Sequence, residues 1–205
     1  MLNAALQQLP LVAILRGVKP DEVEAIADAL YIEGFRVIEV PLNSPDALDS
    51  IARLARRMPA DTVVGAGTVL SVQAVADVQA AGGKLIVMPH ADVAVIREAK
   101  ARGLFCVPGA ATPTEAFAAV NAGADALKLF PAELVTPTVM KAMRAVLPRE
   151  LRLLPVGGIT PAAMAVFRQA GAAGFGLGSA LYSPGLGAAE VAQRAQAFVQ
   201  AWHAL

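Results

Sequence analysis

The sequence predicts a (β/α)8 barrel of the TIM type, one domain over residues 1–205 with a short helix ahead of the first strand. Three observations carry this. Apolar runs of strand length alternate with longer helix-like stretches. There are eight such runs. They recur at a step of roughly 20–26 residues, the repeat of a βα unit in a parallel sheet. An open doubly wound sheet usually has about five or six strands, so eight units favour closure.

Residues 1–8 read as the preceding helix, and Leu11 to Leu15 (LVAIL) as the first strand. Pro20 and Asp21 then open an Ala- and Glu-rich helix that stops near Gly34. Phe35 to Val40 (FRVIEV) is the second strand, and Pro45 and Asp46 lead into a helix over Ala47 to Arg57. Thr62 to Val69 is the third; the helix after it closes on Gly82 and Gly83. Lys84 to Pro89 is the fourth, followed by a helix ending at Gly103. LFCVPG is the fifth, and the next helix starts from a Thr-Pro-Thr-Glu cap and stops at Gly123. ADALKLFP, LRLLPVGG and AAGFGLGS supply the sixth, seventh and eighth.

Composition excludes several function classes. Basic and acidic residues balance at 17 each, so neither a nucleic-acid surface nor a polybasic membrane patch is expected. The chain is 56% hydrophobic, but its longest uncharged stretches are broken by Gly, Pro and Ser, and none reads as a membrane span. The start, MLNAALQQLP, lacks a basic segment followed by an apolar one, so no signal peptide is expected. One cysteine, Cys106, cannot form an internal disulfide, which fits a cytoplasmic protein. Two histidines and one cysteine, scattered along the chain, offer no metal-ligand cluster. The apolar excess is also what subunit burial would require.

In such a barrel the chemistry sits at the C-terminal ends of the strands. Six of the eight strands place an ionisable, hydroxyl or glycine feature there: Arg16, Glu39, Thr68, Lys128, Gly157-Gly158 and Gly178-Ser179. Lys128 stands out, because Ala126, Leu127, Leu129 and Phe130 surround it. A strand covered on both faces buries this amine whichever way it points. Desolvation then lowers its pKa and makes it a nucleophile toward a ketone at neutral pH. A lysine snorkelling from a peripheral strand fits the same residues. Glu39, in the equally apolar VIEVP, changes the balance. Two lone buried charges are each costly, whereas two facing one pocket account for each other, and a carboxylate can shuttle the protons of imine chemistry. A structural ion pair is the bland alternative. GGIT-Pro161 and LGSAL each read as strand end, glycine turn and helix start, with free backbone N–H groups suited to phosphate and Ser179 as a hydroxyl donor. Cys106 reads as a core residue. His90 fits either the site's edge or a solvated loop. Trp202 and His203 read as terminal-helix packing, and Arg36, Lys84 and Arg152 as the opposite, solvated end.

ILRG, EVPLNSP, VGAGTVL, VPGAATPTEA, ALKLFPA and PVGGI occur in this order between about Leu11 and Tyr182. Together they resemble the class I 2-keto-3-deoxy-6-phosphogluconate and 6-phosphogalactonate aldolases. The resemblance implies a (β/α)8 barrel, a homotrimer, no metal or other cofactor, and a small phosphorylated keto-deoxy sugar acid as substrate. It implies that Lys128 forms the imine, that Glu39 is the general acid/base and that Arg16 meets the substrate carboxylate. It further implies that Thr68 and Pro89 line the pyruvate end, that Phe130 lies beside the imine, and that Gly157, Gly158, Gly178 and Ser179 cradle the phosphate. Gluconate-type members typically read EVTLRT and PTGG; here Asn43 and Val156 stand at the differing positions, as in the phosphogalactonate branch. The two substrates are C4 epimers, so a changed partner near the cleaved bond is a sensible place for discrimination. The alternatives are the gluconate epimer or both epimers as substrate, a phosphosugar isomerase or epimerase, and a non-catalytic phosphosugar-binding barrel.

Overall fold

The computed structural model describes all residues, 1–205. A short helix, α1 (Leu2–Gln8), precedes β1 (Leu11–Ile14), α2 (Val23–Ile32), β2 (Val37–Pro41), α3 (Ala47–Arg57), β3 (Val63–Gly67) and α4 (Val72–Ala80). The chain continues through β4 (Leu85–Val87), α5 (Val93–Ala101), β5 (Phe105–Val107), β6 (Gly109–Ala110), α6 (Pro113–Asn121) and β7 (Leu127–Leu129). It ends with α7 (Pro137–Arg144), β8 (Leu153–Pro155), α8 (Met164–Gln169), β9 (Phe175–Leu177) and α9 (Ala188–His203). The helix starts follow the sequence only in part. α2 begins at Val23 rather than Asp21, and Asp46 makes no side-chain capping bond. Pro161 opens a 3-10 turn (Pro161–Ala163) ahead of α8. LGSAL forms a turn instead of a helix start, with Pro184 and Gly185 following before α9 begins at Ala188. Ser71 accepts from Ala74 N, Asp92 from Ala94 N and Val95 N, and Thr112 with Glu115 forms a reciprocal capping box.

The eight-stranded (β/α)8 barrel predicted from the sequence is not what forms. Nine strands lie in two parallel sheets, one of six in the order β5-β4-β3-β2-β1-β9 and one of three in the order β6-β7-β8. Proline is the physical reason for the extra strand. Pro108 sits inside the predicted fifth run and has no N–H to donate. The ladder with β4 therefore ends at Val107, while the Pro108 carbonyl accepts from Lys128 N at 2.9 Å and passes the chain to β7. Between β8 and β9 the sheet pairing is a single bridge, Val156 to Gly176. No continuous ladder joins the two sheets.

Strand alternation sorts the interior into two apolar clusters. One, of 52 buried residues, lies between strands and helices and takes Leu11, Ala13, Ile38, Val40, Leu127 and Leu129. The other, of 11, gathers the opposite strand faces, among them Val12, Val37 and Leu154, together with Leu2, Ala5 and Leu6 of α1. Glu39 and Lys128 share their parity with this inner set. Close strand approach needs missing side chains. A Cβ on Gly65 would overlap the Leu85 carbonyl and lie 2.6 Å from the Leu85 Cβ, so only glycine lets β3 lie against β4.

Gly65→Ala is therefore expected to destabilise the protein by roughly 2–4 kcal/mol in denaturant unfolding. Gly178→Ala, where an added Cβ would meet nothing within 4 Å, is expected to stay within about 0.5 kcal/mol of the parent. Equal stabilities for the two variants would refute the packing account of Gly65.

Candidate active site

Glu39 and Lys128 are 1% and 6% exposed, the former from the six-stranded sheet and the latter from the three-stranded one. Both line one apolar cavity between the sheets, with Ile14, Val37, Val107 and Leu154 around them. No hydrogen bond or ion pair joins them, and Glu39 Oε2 has no partner at all. A structural ion pair is therefore not what keeps these two residues in the interior. Burial dominates the titration of both. It pushes the Glu39 carboxyl up to about 7 against the opposing pull of Lys128 and Arg16. It pushes the Lys128 ammonium down, with Glu39 working the other way and Arg16 adding to the depression. The Lys128 Nζ lies 4.6 Å from the centre of the Phe130 ring, which covers it without accepting a conventional hydrogen bond.

Lys128 also lines a second cavity of about 340 Å³ that carries the polar groups of the rim. Arg16, Phe130, Val156, Gly157, Gly158, Gly178 and Ser179 all line it, so eight of the twelve residues singled out in the sequence meet in one place. Glu39 approaches from the cavity below. Asn43 and Thr68 join through Arg16: its guanidinium donates to Asn43 Oδ1 at 2.6 Å and to Thr68 Oγ1 at 3.4 Å. Thr68 holds φ +56°, a left-handed conformation costly for a β-branched residue, and thereby turns the chain at the end of β3. Pro89 lines neither cavity. Its carbonyl packs on Gly109, the register partner of Lys128.

The two cavities that meet at Lys128 thus offer, between them, a desolvated amine, a carboxyl near neutrality, a fixed guanidinium and a glycine-lined end. A nucleophile, a proton carrier and two anion-binding ends are the parts that imine chemistry on a doubly anionic keto acid requires.

Sequence reasoning missed three contributors. Thr160 and Ile159 line the cavity beside the glycine pair, and Thr160 sits in the quoted GGIT. Gly67 matters more: a Cβ there would overlap the Glu39 carboxylate, so this glycine makes the carboxylate's seat. Its place in GAGTVL was visible, but its spatial relation to Glu39 was not. The carboxylate of Glu133 packs against this turn, 2.5 Å from where a Gly157 Cβ would lie and 2.9 Å from where a Gly158 Cβ would lie. Cys106 and Trp202 behave as the sequence suggested. Cys106 is buried, its thiol pushed up to about 12 mainly by burial. Trp202 packs edge-on against Phe175. Arg36 lies away from both cavities but, against expectation, is not solvated: its side chain is 12% exposed, stacked on the Tyr31 ring and paired with Asp61 at 2.8 Å. His90 is exposed and lines neither cavity.

Comparison with known proteins agrees with these features. A family described as "Aldolase: KDPG and KHG aldolase" matches residues 2–201. The chain is 47% identical to the "Probable 2-dehydro-3-deoxy-6-phosphogalactonate aldolase" of Rhizobium meliloti (strain 1021), over 96% of this chain and 92% of that protein. It is 45% identical to the "2-dehydro-3-deoxy-6-phosphogalactonate aldolase" of Escherichia coli (strain K12), over 95% of each. A solved structure described as "Native KDPGal structure" superposes with a TM-score of 0.94 at 45% identity, over 96% of both chains. The 2-keto-3-deoxy-6-phosphogluconate aldolase of Zymomonas mobilis ZM4, solved with 3-phosphoglycerate, gives 0.86 at 28% identity, over 96% of this chain and 94% of that one. The chain belongs to the KDPG and KHG aldolase family.

Proposed function

We propose that this aldolase cleaves 2-dehydro-3-deoxy-6-phosphogalactonate to pyruvate and glyceraldehyde 3-phosphate through an imine on Lys128. The observation that carries the reading is the pair Lys128 and Glu39. They are the two titratable groups of one apolar cavity, unbonded to each other, and the lysine opens onto the polar cavity above. The neutral amine adds to the C2 ketone, and Glu39 moves protons until water leaves and the iminium forms. The iminium accepts the electron pair of the C3–C4 bond as Glu39 takes the C4 hydroxyl proton and the aldehyde departs. The enamine is then protonated at C3, and water releases pyruvate and restores the amine. Arg16, held by Asn43 and Thr68, meets the substrate carboxylate. Gly157, Gly158, Gly178 and Ser179 hold the phosphate, and the open space around Gly178 leaves room for it. Thr68, Pro89 and Phe130 shape the pyruvate end. The reading calls for no metal, since the iminium supplies the polarisation.

Galactonate is favoured over its C4 epimer by Asn43 and Val156, and by the names of the relatives at 45% and 47% identity. Relatives named as phosphogluconate aldolases stand at 33% and 36%, and one named "KHG/KDPG aldolase" at 33%. A homotrimer in the cytoplasm completes the proposal. Phe117 on α6, with Leu134 and Val139 and Val146 around α7, leaves large apolar side chains in solvent, as a subunit interface requires.

Cyanoborohydride with pyruvate is expected to add one pyruvate-derived mass at Lys128 and to inactivate the enzyme. Lys128→Ala should abolish cleavage in a folded protein, and EDTA should leave the rate unchanged. A label on another lysine, or activity that needs a metal, would overturn the mechanism. Assayed on both epimers, the enzyme is expected to show the larger kcat/KM for the galactonate form; the reverse order would assign it to gluconate chemistry. Sedimentation should show a trimer at micromolar concentration, and a lone monomer would refute that part.

A further inference from the structure

The floor of the Lys128–Glu39 cavity is not made by a strand. It is made by α1, a seven-residue helix at the start of the chain whose Leu2 and Leu6 line the same cavity as the two titratable groups. A helix this short is marginal by itself. Its N-cap, Met1, makes no side-chain capping bond, and no acidic residue lies in its first turn, so packing is what holds it. That packing is thorough, with Leu2, Ala5 and Leu6 at 2%, 3% and 1% exposure. The space left in the cavity is about 20 Å³, enough for one water molecule.

We propose that α1 is a working part of the catalytic centre: Leu2 and Leu6 keep bulk water from the underside of Lys128 and Glu39, and so hold this pair in the protonation states that imine formation at neutral pH needs. The proposal rests on the aldolase reading above. Leu6 is a positioning residue, acting through the polarity around the amine and touching no reacting atom. The charged groups around the pair are few. Lys128 and Glu39 face each other, Arg16 faces both from the open, solvent side, and the rest of the cavity lining is apolar. On α1 the only charge is the amino terminus of Met1, an exposed residue outside that lining. Burial is the largest influence on both groups, so a wetter floor moves Lys128 up and Glu39 down, each toward its ordinary range. The neutral amine then becomes scarce at pH 7, and the resting pair becomes ammonium and carboxylate.

The test uses the full chain and reads the rate of pyruvate–cyanoborohydride trapping at Lys128 against pH. Leu6→Asn should move the midpoint up by about one pH unit, a loss of about tenfold at pH 7 that recovers at alkaline pH. Leu6→Met, of similar volume and still apolar, should keep the parent midpoint. Leu2→Ser, at the first residue of the helix, is the milder companion should Leu6→Asn fail to fold. An unmoved midpoint in either folded polar variant overturns the proposal, as does a moved one in Leu6→Met. If the parent protein itself is not trapped at Lys128, the aldolase reading fails instead, and the two failures are told apart.

Discussion

Two opposite ionisable groups are kept in an apolar interior without being allowed to neutralise each other by contact, and the rest of the molecule is arranged around that constraint. Removing a carboxylate and an ammonium from water costs several kcal/mol each, and a direct bond is the usual compensation. Here the bond is missing, and the cost appears as a shift of both titrations toward neutrality. A carboxyl that can both give and take a proton near pH 7, beside an amine that spends time uncharged, suits reversible imine chemistry. Structural stability alone would not select such a pair.

The surrounding residues make that placement possible in two ways. Glycines remove side chains where something must come close. Gly67 vacates the volume that the Glu39 carboxylate fills, Gly65 lets β3 approach β4, and Gly109 lets the Pro89 backbone sit against the strand that pairs with Lys128. Hydrogen bonds fix the one cation that must stay put. Asn43 and Thr68, from the ends of two neighbouring strands, hold the Arg16 guanidinium at the mouth, and the left-handed turn at Thr68 sets the start of the following loop. Arg16 in turn biases the buried pair, lowering both titrations through its charge. The cation at the mouth and the two buried groups are therefore electrostatically linked.

Asn43 gains a second role from this geometry. From the sequence it stood as a candidate partner for the hydroxyl near the cleaved bond. In the folded protein its side chain already holds Arg16. An asparagine here therefore bears on how the Arg16 guanidinium is held. Val156 packs its methyl groups against Gly176 and lines both cavities, so its apolar surface faces the reacting region.

The sequence by itself determined which residues carry charge within apolar strands, where the helices with side-chain caps at Ser71, Asp92 and Thr112 begin, and which glycine turns follow the late strands. Each of these is local: an alternation of two, a cap within three residues, a glycine after a run. The pairing of strands was not local, and there the reading was overturned. Pro108 interrupts what looks like one continuous strand, and nine strands in two sheets replace the expected closed ring of eight. Only the tertiary structure decided that Glu39 and Lys128 face one cavity without touching, that Gly67 clears the space for the carboxylate, and that α1 forms the floor beneath them. These are relations between residues up to 126 positions apart, Leu2 to Lys128, and they depend on packing and desolvation, which exist only once the chain has closed on itself.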